Sequence, residues 1–294
     1  MNVQRPAVLV EAFTADLLQG NGAAVVWLEQ PVTAAWMQRL AGSFKQSETA
    51  FLYRNDQDIW CLRWFTPSCE VPLCGHATLA ASLALAHWGQ LQPGETLQLA
   101  SRSGALPVGL HPDELNSASL VLPGGDLEPL PVPEPLQALL GLEIQSYWGS
   151  ALGYRVGLLD AGVDLHALAS PAAGLQGQDR MGLVLMQALP AGGPTVMGAP
   201  CDYQLRFFAP GLGIEEDPVT GSAHALVAPW WMQQLARPQV RGWQPSHRCG
   251  GMLCDDAGPG RVRLTGAGQL LWDGQINASG CGFDPDDWQQ AVHL

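Results

Sequence analysis

Residues 74–88 read Cys-Gly-His-Ala-Thr-Leu-Ala-Ala-Ser-Leu-Ala-Leu-Ala-His-Trp, and a glycine follows. From Ala77 to Trp88 the segment is rich in alanine and leucine on every side of a helix. A helix that is apolar on all sides is buried within a fold rather than lying on its surface. The stretch therefore predicts a buried helix, with the Cys-Gly-His sequence at its N-terminus.

A similar order of residues occurs in the second half of the chain. The first copy runs Arg-Trp-Phe-Thr-Pro over residues 63–67, followed by an acidic loop and the helix described above. The second copy runs Arg-Phe-Phe-Ala-Pro over residues 206–210, followed by Glu216 and Asp217 and by a helix opening at Gly221. The repetition predicts a duplicated unit of strand and helix.

Glycine and proline punctuate the whole chain, with 34 and 23 residues, which favours many short elements and a β-rich architecture. The proline-rich segment 123–135 is the predicted linker. Periodicity predicts helices at 33–41, at 77–88 and from 221 onward, and strands at 5–11, 23–28, 49–53, 59–65, 115–122, 181–188 and 203–208.

Length and composition limit the classes of function. The 294 residues, 47% of them hydrophobic, suffice for about two domains. The net charge of −13 without basic clusters disfavours nucleic acid as a partner. No apolar run reaches the roughly 18 residues of a membrane helix, and Glu11 and Asp16 interrupt any signal-peptide pattern. We therefore expect no membrane association and a cytoplasmic location.

Common catalytic and cofactor motifs are absent from the sequence. It contains no GxSxG, HExxH or GxxxxGK motif, and no dinucleotide fingerprint follows the first predicted strand. The seven cysteines lack the CxxC spacing of zinc ribbons and redox dithiols. We therefore expect cofactor-free proton transfer or thiol chemistry, with no bound metal.

Four titratable residues are candidates for that chemistry. Glu48 precedes an apolar strand, where burial would raise its pKa toward neutrality, unless it is simply solvated. His76 lies at a helix start, where the dipole favours neutral imidazole, or it is a structural cap. Asp217 is either a ligand-orienting group or a carboxylate interacting with a helix dipole. Cys74 is a reactive thiolate if exposed and a small apolar residue if buried.

Small residues at both predicted helix starts, Gly75 and Gly221-Ser222, leave backbone N–H groups accessible. Two such helix ends facing one cleft would bind a carboxylate or another small anion without lysine or arginine.

Four segments together resemble the phenazine-biosynthesis PhzF-like isomerase family, which has the diaminopimelate-epimerase-like fold. They are Gly-Asn-Gly-Ala-Ala-Val-Val at 20–26, Ser-Glu-Thr-Ala-Phe at 47–51, the run from Phe65 to Ala80, and Glu-Asp-Pro-Val-Thr-Gly-Ser-Ala-His at 216–224. The resemblance implies an α+β fold of two pseudo-symmetric domains, each a curled mixed β-sheet around a central buried helix. The domains would span 1–122, joined by the tail 283–294, and 123–282, and the protein would form a homodimer.

The resemblance also implies roles for individual residues. A proton would be shifted without cofactor on a small carboxylated metabolite, in a cleft between the domains. The implied catalytic residues are Glu48 as general acid/base, His76 and Asp217. The implied substrate-binding residues are Asn21, Ser47, Gly75, Gly221 and Ser222.

Two alternatives remain open. One is an amino-acid racemase, epimerase or dehydratase that uses Cys74, although Thr220 stands where a two-thiol enzyme has its second cysteine. The other is a non-catalytic metabolite-binding or interaction protein. Pro229 is expected to kink or end the second helix. Exposed tryptophans between 230 and 243 are a candidate dimer surface.

Overall fold

The computed structural model describes residues 3–114 and 116–293. Two interpretations touch residues outside these ranges: the predicted strand 115–122 begins at Leu115, and the N-terminal segment begins with Met1 and Asn2. The helices are α1 (Ala34–Phe44), α2 (Gly75–His87), α3 (Glu134–Leu140), α4 (Gly221–Leu235) and α5 (Pro285–Ala291).

The strands are short and alternate with turns, as the glycine and proline content predicts. They are β1 (Gln4–Ala12), β2 (Asn21–Leu28), β3 (Glu48–Arg54), β4 (Trp60–Phe65), β5 (Glu70–Val71), β6 (Thr96–Ser101), β7 (Gly104–Leu110), β8 (Ser117–Pro123), β9 (Glu128–Leu130), β10 (Ser146–Gly149), β11 (Arg155–Leu158), β12 (Leu183–Ala188), β13 (Thr195–Val196), β14 (Ala199–Pro200), β15 (Tyr203–Ala209), β16 (Ile214–Asp217), β17 (Gln239–Gln244), β18 (Gly250–Asp256) and β19 (Arg261–Asn277). Every predicted helix and strand has a counterpart among these elements.

The chain divides into two compact units: Met1–Val121 with Thr265–Leu294, and Leu122–Leu264. From the sequence we expect the chain to pass back into the first unit at residue 283, whereas in the structure it does so at Thr265. The difference arises because β19 pairs with β1 from Gly268 to Asn277. The predicted linker is also wrong in part, since residues 128–130 form β9 and pair with β10 in the second unit.

The first unit is a closed barrel around α2. Going round it, β1 pairs with β2, then follow β3, β4, β6, β7 and β8, and β19 pairs with both β8 and β1. The neighbouring pairs from β1 to β7 alternate antiparallel and parallel. Eleven of the 13 residues of α2 are buried, which confirms the predicted buried helix.

The second unit repeats this order. Its strands β10, β11, β12, β15, β17 and β18 pair in succession with the same alternation of antiparallel and parallel neighbours. Helix α4 follows β15 and β16 in the chain, as α2 follows β4 and β5, and it packs on β15, β17 and β18. The predicted duplication and the α+β fold class are thus confirmed.

Each repeat contains the same buried arginine–glutamate ion pair. In the first, Arg63 Nε and Nη2 donate to Glu70 at 2.8 Å each, and the guanidinium lies 5.5 Å from the Phe65 ring. In the second, Arg206 makes the same two bonds to Glu216, at 2.7 and 2.8 Å. This bidentate pair ties the strand end to the loop that precedes each central helix.

Helix α4 does not end at Pro229 but continues to Leu235, so the expectation that this proline ends the helix is wrong. The residues on either side, including Ala228 and Trp231, are buried in the second unit. Packing of a largely apolar helix can outweigh the hydrogen bond that proline removes. No helix in the described residues is long and apolar enough to cross a membrane.

Candidate active site

Glu48 is held at the first position of β3, beside β2, where it pairs in register with Ala23. The next residues of the strand, Thr49 to Leu52, are fully buried, so the strand brings the glutamate to the edge of the apolar core. Its side chain is 11% exposed, and Oε2 lies 3.0 Å from His76 Nε2. The predicted position of a carboxylate at the mouth of an apolar strand is therefore correct, and the carboxylate is nearly dry.

His76 and Cys74 stand at the N-terminus of α2, whose first turn has no acidic residue and no side-chain cap. His76 Nδ1 lies 3.5 Å from Cys74 Sγ. Burial lowers the pKa of His76, but Cys74 and Glu48 oppose this, and the net pKa lies well above its usual value. This direction opposes the neutral imidazole expected from the helix dipole alone, and it is caused by the facing Cys74 and Glu48 side chains.

Cys74 is a buried thiol rather than a reactive thiolate. Burial, reinforced by the Glu48 carboxylate, raises the pKa of Cys74 to about 11, against the smaller influence of His76. The residue is 8% exposed. At neutral pH the sulfur therefore carries its proton.

Asn21 connects the loop before β2 to this cluster. Gly20 precedes it with φ 72°, and a Cβ at Gly20 would approach the Ala12 carbonyl oxygen to 2.4 Å, so the turn requires glycine. Asn21 is fully buried, and its Nδ2 lies 3.1 Å from His76 Nδ1. Ser47 Oγ donates to Asn21 Oδ1 at 3.0 Å.

A second group of candidate residues surrounds the start of α4. Thr220 Oγ1 donates to Asp217 Oδ2 at 2.5 Å, and Asp217 is 8% exposed. Ser222 Oγ lies 3.2 Å from the Tyr154 hydroxyl. As at α2, the first turn has no acidic residue and no side-chain cap.

The structure thus brings the predicted site residues together in two groups. Those in the first unit are Asn21, Ser47, Glu48, Cys74, Gly75 and His76; those in the second are Asp217, Gly221 and Ser222. That both groups serve one substrate stays a prediction.

Sequence reasoning missed Gln244 and Tyr154. Gln244 Oε1 accepts from Thr220 N at 2.8 Å and its Nε2 donates to the Asp217 carbonyl at 2.5 Å, so it fixes the start of α4. Neither residue stands in a motif, and each is brought there by strand pairing. The tryptophans expected as an exposed surface are not exposed: Trp231 is buried, and Trp230 and Trp243 are partly buried. Trp231 stacks on Tyr203 at 5.3 Å, as part of the second core.

Glu48, Cys74 and His76 each offer one ligand atom, and these atoms all lie within 4.8 Å of one another. A metal ion would need the lone pair of a His76 nitrogen. Nε2 faces Glu48 at 3.0 Å and Nδ1 faces Asn21 at 3.1 Å. In this structure both ring nitrogens of His76 thus face partners.

Comparison with known proteins agrees with this fold. A family model described as "Phenazine biosynthesis-like protein" (PhzC-PhzF) matches residues 10–123 and 179–274. An uncharacterized isomerase of Pseudomonas aeruginosa is 36% identical over 270 residues, which cover 92% of this chain and 97% of that protein. Mouse phenazine biosynthesis-like domain-containing protein 1 is 33% identical over 290 residues, covering 93% and 99%.

Among solved structures, a PhzF-family phenazine biosynthesis protein from Enterococcus faecalis has 30% identity and a TM-score of 0.81, covering 93% of this chain and 99% of that one. The chain therefore belongs to the phenazine biosynthesis-like family, as a PhzF-like isomerase.

Proposed function

We propose that this protein is a cofactor-independent isomerase that shifts a proton on a small carboxylated metabolite, with Glu48 as the general acid/base. Glu48 removes a proton from a carbon next to an unsaturated or carboxyl-bearing centre. The carboxylic acid so formed exchanges its proton with solvent and delivers a proton to a different carbon, while the double bond moves, so that substrate and product have the same composition.

The observation that carries the proposal is the position of the Glu48 carboxylate. It is nearly buried and lies 3.0 Å from an imidazole at the start of a buried helix. Within the described residues Oε2 has no aligned hydrogen-bond donor, so this close contact is not yet a linear hydrogen bond. Catalytic contacts in ligand-free enzymes often become aligned only when substrate binds. A dry carboxylate with an unused lone pair is suited to accept a proton from carbon.

A carboxylate substrate is supported by the helix starts. Neither α2 nor α4 has an acidic residue or a side-chain cap in its first turn. Backbone N–H groups there, at Gly75 and His76, and at Gly221 and Ser222, carry the positive end of the helix dipole. Such groups stabilise negative charge as it develops in the transition state.

The difference between the two repeats supports proton transfer by one base. Phe65 and Phe208 occupy equivalent strand positions and pair with Thr49 and Leu183. The residue before Thr49 is Glu48, and the residue before Leu183 is Gly182. A Cβ at Gly182 would lie 2.4 Å from Tyr154 Cδ1, so the tyrosine ring occupies that space.

The remaining repeat partners are also unsuited to act as bases. Counted from the two helix N-caps, Cys74 corresponds to Thr220 and His76 to Ser222. A racemase that takes one thiol from each repeat therefore lacks the second one. The alternative reaction through Cys74 is further disfavoured because burial raises its pKa to about 11.

Incubation in deuterated water with a panel of small unsaturated carboxylic acids and amino acids tests the reaction class. The proposal predicts an unsaturated acid whose double bond moves and which gains solvent deuterium at the newly protonated carbon, seen by NMR and mass spectrometry. Deuterium at an inverted stereocentre with no bond shift would favour an epimerase instead. Loss of water from the product would favour a dehydratase.

The proposal extends to assembly and location. We propose a homodimer, which sedimentation analysis at several protein concentrations checks, and a cytoplasmic location. The substrate is the expected partner, and nucleic acid is not.

A further inference from the structure

Three polar side chains connect the protein surface to the Glu48 carboxylate. Ser47 is exposed, whereas Asn21, His76 and Glu48 are 0, 4 and 8% exposed. The contacts run from Ser47 Oγ to Asn21 Oδ1 at 3.0 Å and from Asn21 Nδ2 to His76 Nδ1 at 3.1 Å. They end at the 3.0 Å approach of His76 Nε2 to Glu48 Oε2.

The direction of these contacts determines where His76 carries its proton. Because the Ser47 hydroxyl donates to Oδ1, the Asn21 amide turns its Nδ2 toward the imidazole. An amide nitrogen only donates, so in neutral His76 it is Nδ1 that accepts from Asn21, and the ring carries its hydrogen on Nε2. That hydrogen faces the Glu48 carboxylate. The Cys74 thiol also lies near Nδ1, with Sγ at 3.5 Å.

We infer that Asn21 is a positioning residue, oriented by Ser47, which holds His76 in the Nε2–H tautomer that supports Glu48. The inference rests on the proposed function and changes the expectation that Asn21 contacts the substrate, because Asn21 is fully buried behind His76. In the opposite tautomer a lone pair of Nε2 would face the carboxylate and repel it.

The charged groups around His76 favour a second proton on the ring, so its tautomer is defined only where the ring is neutral. Glu48 and Cys74 face it directly, and together they raise its pKa against the effect of burial. Other charged residues on the strands that pack against α2 have partners of their own. On β1, Glu11 accepts a hydrogen bond from Leu18 N, and on β3, Arg54 pairs with Asp58. Strands β2 and β7 carry no charged residue. A proton on Nδ1 would either face Cys74 Sγ at 3.5 Å or require the Asn21 amide to turn over and present Oδ1. In the second case the Ser47 hydroxyl, which can also accept, must follow.

The test is nitrogen NMR of protein labelled with ¹⁵N-histidine, with the His76 signals assigned from their loss in His76→Asn. At the alkaline end of a titration, wild type should show protonated Nε2 and unprotonated Nδ1. Asn21→Leu should show a mixture of both tautomers, because the donor to Nδ1 is gone. Asn21→Asp should raise the pKa of His76 by at least about one unit, because a carboxylate accepts from Nδ1–H.

A wild-type Nδ1–H tautomer would overturn the inference, and so would an unchanged tautomer in Asn21→Leu. If Asn21→Leu does not fold, the inference is tested by the wild-type tautomer and by the pKa of His76 in Asn21→Asp, and an unchanged pKa there would overturn it. These spectra need no substrate, so they can fail independently of the proposed reaction.

Kinetics then separate positioning from binding. Asn21→Leu should lower kcat roughly 10–100-fold with KM within about twofold, as for other residues that fix a catalytic imidazole. Ser47→Ala should have a smaller effect in the same direction. Ser43→Ala, which removes an exposed hydroxyl that bonds only within α1, should have none. A rise in KM with unchanged kcat would instead indicate direct substrate binding by Asn21.

Discussion

His76 Nε2 and Glu48 Oε2 approach to 3.0 Å, although one residue begins a helix and the other begins a strand. The barrel of the first unit places α2 against β3, and this packing brings the two N-terminal ends together. The resulting pair is almost dry, at 5% and 11% side-chain exposure. Electrostatic interaction between such groups is strong because little water screens it.

Loss of the imidazole should impair the reaction more than binding. His76→Asn removes the N–H that faces Glu48, and we expect kcat to fall roughly 10–100-fold. Steady-state kinetics on the substrate found in the deuterium screen measure this. His87→Asn, at an exposed histidine of the same helix, should behave as wild type. An unchanged kcat in His76→Asn would remove the imidazole from the mechanism.

Cys74→Ser should retain most of the activity, within about tenfold of wild type. Burial raises the pKa of this thiol to about 11, so it is protonated at neutral pH and is a poor base. The same substitution discriminates the two reaction classes, because a thiol-dependent epimerase would lose turnover. Abolished activity in a folded Cys74→Ser protein would favour that alternative.

The repeated ion pair should stabilise the first unit. Arg63→Met leaves Asp287 without its partner and Glu70 with only the more exposed Arg102. We expect a loss toward the lower end of about 3–5 kcal/mol in unfolding free energy. Arg54→Met breaks the exposed pair with Asp58 and should cost at most about 1 kcal/mol. Urea unfolding followed by circular dichroism compares the two; equal losses would contradict this account.

The second unit should be sensitive to acid through His224. Burial lowers the pKa of this histidine from its usual 6.5 to about 3. Between these values the unfolded chain binds a proton that the folded chain does not, so stability falls as the pH drops below 6.5. At pH 5 the loss is roughly 2 kcal/mol.

Unfolding free energies at pH 7 and pH 5 measure this contribution. In His224→Gln the difference between the two pH values should shrink by roughly 2 kcal/mol. His87→Gln should keep the wild-type difference, because His87 is exposed. If His224→Gln shows the same difference in unfolding free energy between pH 7 and pH 5 as wild type, another group is responsible for the acid sensitivity.

The sequence predicts the fold correctly where contiguous, local patterns determine it. The apolar run of α2, the glycine at its start and the repeated Arg-aromatic-Pro strand end are contiguous, and each predicted its element. Closure of the barrel was not accessible, because it depends on β19 returning to pair with both β1 and β8. For the same reason the boundary at Thr265 was missed.

The candidate site shows the same division. Glu48, Cys74 and His76 stand in short motifs and were identified there. The contact between Asn21 and His76 joins residues 55 positions apart and requires α2 to pack on β2. Gln244 reaches the start of α4 from β17 and has no local signal at all. Whether Cys74 is a thiol or a thiolate depends on its burial, and the neighbouring sequence does not determine that burial.

The rate of solvent deuterium incorporation in Glu48→Gln tests the central claim most directly. Glutamine keeps the size of the side chain but cannot accept the proton, so incorporation should fall at least about 100-fold. Glu95→Gln, which neutralises an exposed carboxylate of the same unit, should keep the wild-type rate. If folded Glu48→Gln incorporates deuterium as fast as wild type, Glu48 is not the base and the proposed mechanism is wrong.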